Sequence, residues 1–166
     1  SCLTNYTFSQ VAVCQGEVVG VILAKNVQKH KCPPSAQLRQ IRSLLSLYLS
    51  REGRKMMKIF GSVNGIDQQL LKENHRSYPA ELALFAVSPV CRGKGIGKQL
   101  FQAAMNYMKQ ENLKQFYLFT DTSCNYGFYE HQGMKRCCEK KHIFQVAGQN
   151  AEMRFFIYES ESFACR

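Results

Sequence analysis

A glycine-rich run, Val87-Ser-Pro-Val-Cys-Arg-Gly-Lys-Gly-Ile-Gly-Lys-Gln-Leu100, carries the clearest chemistry in this chain. Gly93, Gly95 and Gly97 lack a Cβ, so the backbone can curl tightly and let a bound group come close. The apolar residues before the run read as a strand and those after it as an amphipathic helix. The first N–H groups of such a helix have no intrahelical acceptor and lie at the positive end of its dipole. A diphosphate suits that junction. Two commoner phosphate motifs fail on spacing. A P-loop needs a hydroxyl after its Gly-Lys pair, whereas Gly97-Lys98 is followed by Gln99, and Arg92 stands where its first glycine belongs. A dinucleotide fingerprint needs G-x-G-x-x-G, whereas the glycines fall here as G-x-G-x-G. What remains is Arg92-x-x-Gly95-x-Gly97.

A second element, Asn125-Tyr-Gly-Phe128-Tyr129-Glu-His-Gln-Gly133, follows after one further strand. Together the two runs closely resemble the acetyl-coenzyme A loop and the region after it in the GNAT-type N-acetyltransferases, from about Tyr78 to Tyr158. The resemblance implies a mixed α/β (α+β) acyl-CoA N-acyltransferase fold, with a mostly antiparallel central sheet flanked by helices. It implies acetyl-CoA as acyl-donor cosubstrate, held by Phe85, Ala86, Val87, Arg92, Gly93, Lys94, Gly95, Ile96, Gly97, Lys98, Asn125, Phe128 and Tyr129. On the same pattern the strand Glu81–Val87 splays from a neighbour, the Phe85 N–H polarises the thioester carbonyl and Val87 grips the pantetheine arm. Backbone donors at a developing oxyanion are a strong catalytic device. Glu81, six residues before Val87, matches the offset of a general base, with Glu130 and Asp121 as substitutes. Tyr129 matches the proton donor to the departing thiolate, and a phenol near its ordinary pKa stays protonated at neutral pH. Thr122 competes with Asn125 for the pantetheine contact. Cys91 and Cys124 flank these runs, but no histidine near them in sequence could activate a thiol for a covalent route.

The elements that must position these residues are legible as periodicity. Phe8–Cys14 and Val18–Lys25, with Gln15-Gly16 between them, read as a hairpin. Pro33-Pro34-Ser35 supplies a break and an N-cap, and Leu38, Ile41, Leu44, Leu45, Tyr48 and Leu49 recur at helical spacing, predicting a helix that packs by that stripe. Glu52–Asn74 is also helical in pattern, but Gly53, Gly61 and Gly65 predict that it is divided. A helix over Ile96–Asn112 lies on the sheet by Ile96, Leu100, Ala103, Ala104, Tyr107 and Met108. Gln115–Asp121 is a strand, Asn125–Gln132 a short helix stopped by Gly133, and Met134–Phe144 and Glu152–Glu159 form a closing hairpin across Ala147–Asn150.

The 166 residues, 45% of them hydrophobic, predict one domain with its own core. Compared with the resembled family, residues 27–77 form a helical insertion, which either helps define the substrate or serves as scaffold or homodimer contact. About forty residues, a strand and one or two helices, that open family members have no counterpart here; the expectation is that they lie upstream of the sequence given, the alternative that this member has lost elements that usually form one wall of the acceptor cleft. No run is apolar enough for a membrane span and the first residues lack a signal-peptide layout, so a cytoplasmic protein without a membrane partner is expected. Eight scattered cysteines read as reduced thiols, and four histidines far apart give no zinc spacing, so no metal is expected. Adjacent Cys137 and Cys138 in a strand should point to opposite faces.

The net charge of +10 exceeds what an anionic cosubstrate needs, with basic runs at Arg39, Arg42, Arg51, Arg54, Lys55 and Lys58 and at Lys135-Arg136 and Lys140-Lys141. These read as solvated faces rather than as a nucleic-acid surface. The function that follows is transfer of acetyl from acetyl-CoA to a primary amine of a small molecule or peptide, directly within a ternary complex. The alternatives are a non-catalytic acyl-CoA-binding sensor and a nucleic-acid-binding domain.

Overall fold

The computed structural model describes residues 6–31, 34–146 and 149–160. They contain six strands and four α-helices in the order β1 (Phe8–Cys14), β2 (Glu17–Asn26), α1 (Pro34–Leu49), α2 (Arg51–Glu73), β3 (Ala80–Val87), α3 (Ile96–Gln110), β4 (Phe116–Asp121), α4 (Gly127–His131), β5 (Lys135–Val146) and β6 (Gln149–Glu159). This is the expected mixed α/β fold with a six-stranded, mostly antiparallel sheet flanked by helices. The chain divides into two compact units, residues 1–31, 78–118 and 160–166, and residues 32–77 and 119–159, so β4 passes from one into the other.

In the first unit the strands follow the order β1-β2-β3-β4. Gln15 and Gly16 turn the β1–β2 hairpin with φ of 52° and 83°, the two left-handed residues that match the twist of the flanking strands. β3 pairs antiparallel with β2 along its length, from Asn26↔Ala80 to Gly20↔Val87, with a register shift that leaves Ala83 as the extra residue. The described ladder of β3 with β4 is parallel and covers only Ala80↔Phe116 and Glu81↔Tyr117. A parallel pair needs a crossover, and α3 supplies it, packing on β1, β2 and β3. Its buried face is Leu100, Phe101, Ala104, Met105 and Met108. Leu100, Ala104 and Met108 match the predicted stripe; Phe101 and Met105 widen it, and Phe101 lies 6.4 Å from both Phe85 and Phe116. Gly20 sets the approach of helix to sheet, since a Cβ there would fall 2.9 Å from Leu100 Cδ1.

The second unit holds the end of β4, the β5–β6 hairpin and α1, α2 and α4. Contrary to expectation α2 is one uninterrupted helix of 23 residues. A Cβ at Gly61 or Gly65 would meet nothing within 4 Å, so these glycines cost propensity without opening a hinge. The helix gains a cap from Ser50 Oγ, which accepts from the Gly53 N–H at 2.9 Å, and a buried anchor from Ile66 and Leu70. Gly53 is required for closeness, because a Cβ there would lie 2.1 Å from the Leu47 carbonyl oxygen.

Four further expectations are corrected. Pro34 is the first residue of α1, so Ser35 lies in the first turn rather than at the cap; Pro33 is outside the described residues. The α1 stripe does not pack as predicted, as Leu38 is 61% and Leu49 80% exposed, with Ile41, Leu44, Leu45 and Tyr48 also exposed. The helix meets α2 near their shared turn, where Arg54 Nη1 donates to the carbonyls of Tyr48 and Leu49 at 3.0 and 3.3 Å. Third, the β5–β6 pairing continues to Val146↔Gln149, beyond the predicted strand ends. The link Ala147–Gly148 lies outside the described residues. A bulge at Cys137 also breaks the expected alternation there, since Arg136 pairs with Tyr158 and Cys138 with Ile157. Both thiols feel Glu159 and Arg76, and burial is the largest cause pushing both upward, Cys137 to about 12.

Candidate functional site

β3 runs through Ser88 into a 3-10 turn over Pro89–Cys91 and on to α3. The Ser88 N–H donates to the Val19 carbonyl at 2.8 Å, which ties the start of the loop to β2, and buried Cys91 anchors its floor. Gly93 and Gly95 adopt left-handed φ values of 76° and 77°, while Gly97 is already helical. Only the first two therefore need glycine for backbone conformation. Neither has an atom within 4 Å of its Cβ position, so their outer side is open. The first backbone bond of α3 is Gln99 N–H to the Gly95 carbonyl at 3.0 Å, and the Ile96, Gly97 and Lys98 N–H groups precede it. Gly95 caps the helix without a side-chain bond, and the first turn holds Lys98 but no carboxylate. That charge order is the reverse of what an isolated helix prefers, and an anion at this end corrects it. Arg92, Lys94 and Lys98 are exposed around the turn.

Glu81 lies near the other end of β3, between Lys25 of β2 and Tyr117 of β4. The Lys25 Nζ stands 4.0 Å from Glu81 Oε2, with side chains 18% and 17% exposed. Burial pushes the Glu81 carboxyl above its ordinary 4.5, against the opposing Lys25 charge, a hydrogen bond from Tyr117 and His30. Desolvation wins because it acts on the whole carboxylate, whereas the ammonium stands at the outer limit of an ion pair. Phe85, Ala86 and Val87 occupy the part of β3 whose described register is with β2, opposite Ile22, Val21 and Gly20.

Asn125, Phe128 and Tyr129 belong to the second unit. Helix α4 is shorter than predicted, Gly127–His131, so Asn125 precedes it; its carbonyl accepts the Phe128 N–H at 3.2 Å and its side chain is exposed. Gly133, with φ 80°, ends the segment as expected. Thr122 is engaged with Arg154, its N–H donating to the carbonyl at 3.0 Å and its Oγ1 accepting the Arg154 N–H at 3.2 Å. The Tyr129 ring is buried, edge-on to Phe128 at 5.6 Å and 5.9 Å from Tyr158. Burial, with a smaller contribution from Cys124, pushes its hydroxyl well above the ordinary value. It therefore stays protonated at neutral pH but is a weaker acid than an exposed tyrosine.

Behind Tyr129 lies a cluster that the sequence did not signal. Arg136 stacks over Phe156 at 4.3 Å and near Tyr126 and Tyr158, and its Nε and Nη2 donate to Tyr158 Oη and Glu130 Oε1 at 3.0 and 2.8 Å. Tyr158 Oη donates to Glu130 at 2.5 Å. These bonds, from Tyr158 first and Arg136 second, hold Glu130 below the ordinary carboxylate range. Asp121 accepts from the Ser123 N–H and Oγ at 2.7 and 2.5 Å. Both substitutes for Glu81 are thus engaged locally. The basic run on β5 is paired too, through Lys140 to Glu73 at 3.0 Å and Lys141 to Glu152 at 2.6 Å. Among the described residues no three His, Cys, Asp or Glu side chains gather where they could hold a metal, and no helix is long and apolar enough to cross a membrane.

A strand, a left-handed glycine turn and a helix of this kind within a mixed sheet define the class of the N-acyltransferase folds. Comparison with protein-family models matches residues 3–134 to the acetyltransferase (GNAT) family, and the chain belongs to that family. Among solved structures it is similar to smu.2055 from Streptococcus mutans UA159, with a TM-score of 0.55, 18% identity and coverage of 96% of this chain and 73% of that one. The ribosomal-protein-S18-alanine N-acetyltransferase from Escherichia coli is similar at a TM-score of 0.54 and 10% identity, over 96% of this chain and 70% of that one. A structure from Bacillus anthracis str. Ames in complex with acetyl coenzyme A is similar at 0.53 and 14%, over 92% of this chain and 61% of that one. At these identities the likeness is one of fold. A search of the curated proteins finds no match.

Proposed function

We propose that this chain is an N-acetyltransferase that moves acetyl from acetyl-CoA to a primary amine by direct transfer in a ternary complex. The observation that carries this reading is the β3–α3 junction, where two left-handed glycines lead into a helix with no carboxylate in its first turn. Main-chain groups of Gly93, Gly95, Ile96 and Gly97, with Arg92, Lys94 and Lys98 around them, would hold the diphosphate. Phe85, Ala86, Val87, Asn125 and Phe128 would line the pantetheine arm. The thioester supplies an acetyl group on a good leaving thiolate.

Glu81 takes a proton from the acceptor ammonium, the freed amine attacks the carbonyl carbon, and the Phe85 N–H donates to the developing oxyanion. The C–N bond forms and the C–S bond breaks; Tyr129 supplies a hydrogen bond and proton to the thiolate, and the second proton lost by the attacking nitrogen replaces the one that Tyr129 gives up. Its upward displacement keeps the hydroxyl protonated at neutral pH, as a donor to the departing sulfur must be. The whole chain acts as one domain in this reading, with α1 and α2 as an insertion between β2 and β3, and the five described cysteines, all free, suit a reducing cytoplasm. The test is incubation with acetyl-CoA and a panel of primary amines, reading thiol release together with acetylated product by mass spectrometry. Product that depends on both partners supports the reading; a chain that binds acetyl-CoA and acetylates none of them supports the sensor alternative.

A further inference from the structure

We propose that Lys25 and Tyr117 are positioning residues that hold the Glu81 carboxylate in place and in its ionised form, an inference that rests on the reading of Glu81 as the general base. The sheet itself makes the arrangement. Lys25 is the antiparallel partner of Glu81 on β2 and Tyr117 its parallel partner on β4, and direct cross-strand partners leave a sheet on the same face. Glu81 therefore stands in a row of three side chains, with a cation on one side and a phenol on the other.

Each neighbour is itself fixed. Lys25 is 18% exposed, with its Nζ 4.0 Å from Glu81 Oε2. Tyr117 is 8% exposed, and its ring lies 5.0 Å from that of Tyr78. A carboxylate accepts about four hydrogen bonds, so a tyrosine donor and a lysine at this range leave lone pairs for a substrate proton. The third group facing Glu81 is His30, in the segment after β2, whose N–H donates to the Asn26 carbonyl at 3.0 Å. Its charge acts with that of Lys25 only when the imidazole is protonated. Burial raises the Glu81 carboxyl, and Lys25, Tyr117 and His30 in turn restrain the rise. The balance makes a base stronger than an exposed glutamate that still ionises.

The test uses the whole chain and two readouts. The Glu81 side-chain carboxyl is titrated by 13C NMR in the wild type, Lys25→Gln, Lys25→Arg and Tyr117→Phe, its signal identified by its loss in Glu81→Gln. The pH profile of kcat/KM is measured on the same proteins with acetyl-CoA and whichever of tyramine, spermidine and a short peptide with a free N-terminus is turned over fastest. The expected result is a midpoint displaced to higher pH in Lys25→Gln and Tyr117→Phe, restored by Lys25→Arg, with the acid limb of the profile moving alongside it. Identical midpoints in the wild type, Lys25→Gln and Tyr117→Phe, all folded by circular dichroism, would overturn the proposal. Undiminished turnover in Glu81→Gln would instead remove the base reading, and the positioning role with it, while the midpoints stay displaced, so the two failures look different.

Discussion

The two units approach chemistry in opposite ways. In the first, the β3–α3 turn presents backbone: two left-handed glycines, the first N–H groups of a helix, and exposed cations around them. In the second, Tyr129 is a side chain whose place is dictated by other side chains, the rings of Phe128 and Tyr158 and, behind them, the Arg136–Glu130–Tyr158 bonds. A backbone device depends on a few φ angles and tolerates change around it. A side-chain device depends on packing and fails when its support is removed.

The largest effect should follow from breaking the support in the second unit. Tyr158→Ala removes a side chain with 0% exposure and should cost about 3–5 kcal/mol in urea unfolding, as large-to-small core changes do. Tyr158→Phe keeps the ring and loses two hydrogen bonds, to Glu130 and from Arg136, so about 2 kcal/mol is expected. If both variants unfold at the same urea concentration, Tyr129 is not held by packing and the contrast fails. Next is Tyr129→Phe, which should lower kcat about 100-fold if the hydroxyl acts in proton transfer, while leaving the thermal shift with coenzyme A intact.

In the first unit, Gly95→Val forces a branched side chain to φ 77° and should cost about 1–2 kcal/mol in folding while abolishing the response to coenzyme A. Gly61→Ala, at an exposed helical glycine with open space around it, serves as its control and should stabilise slightly. The smallest effect concerns Glu81. Its folded pKa is raised above the unfolded value, so the folded state binds the proton more tightly, and stability falls as pH rises from the unfolded value through the folded one. Glu81→Gln should therefore raise Tm at neutral pH, and the gain should vanish on acidification below the ordinary 4.5. A gain that persists in acid would assign the effect to packing instead of charge.

How much of this was legible in the sequence follows the same division. The ends of β1, the hairpin turn, the start of α3 and the stop at Gly133 are legible, because each is written in local periodicity or in residues that φ demands. The surroundings of Glu81 were not legible, since Lys25 and Tyr117 reach it through strand register, which joins residues 56 and 36 positions away in sequence. The Arg136 stack is hidden within a basic run for a related reason: sequence gives a charge but not the rings it lies against. The unbroken α2 shows propensity losing to a cap and an apolar anchor, and the exposed stripe of α1 shows that amphipathic spacing predicts a helix more securely than its partner.

The proposed activity requires first that the Arg92–Gly97 turn hold the diphosphate of coenzyme A. Thermal denaturation of the chain with acetyl-CoA, free coenzyme A and NAD, at two salt concentrations and in parallel with Gly95→Val, tests it most directly. At a hundredfold excess over Kd the ligand should add about 2.7 kcal/mol, or roughly 5–10 °C in Tm for a domain of this size. A shift with both coenzyme A forms, none with NAD, and none with any ligand in Gly95→Val is the predicted result. An equal shift in Gly95→Val, or no shift in the wild type, would contradict it.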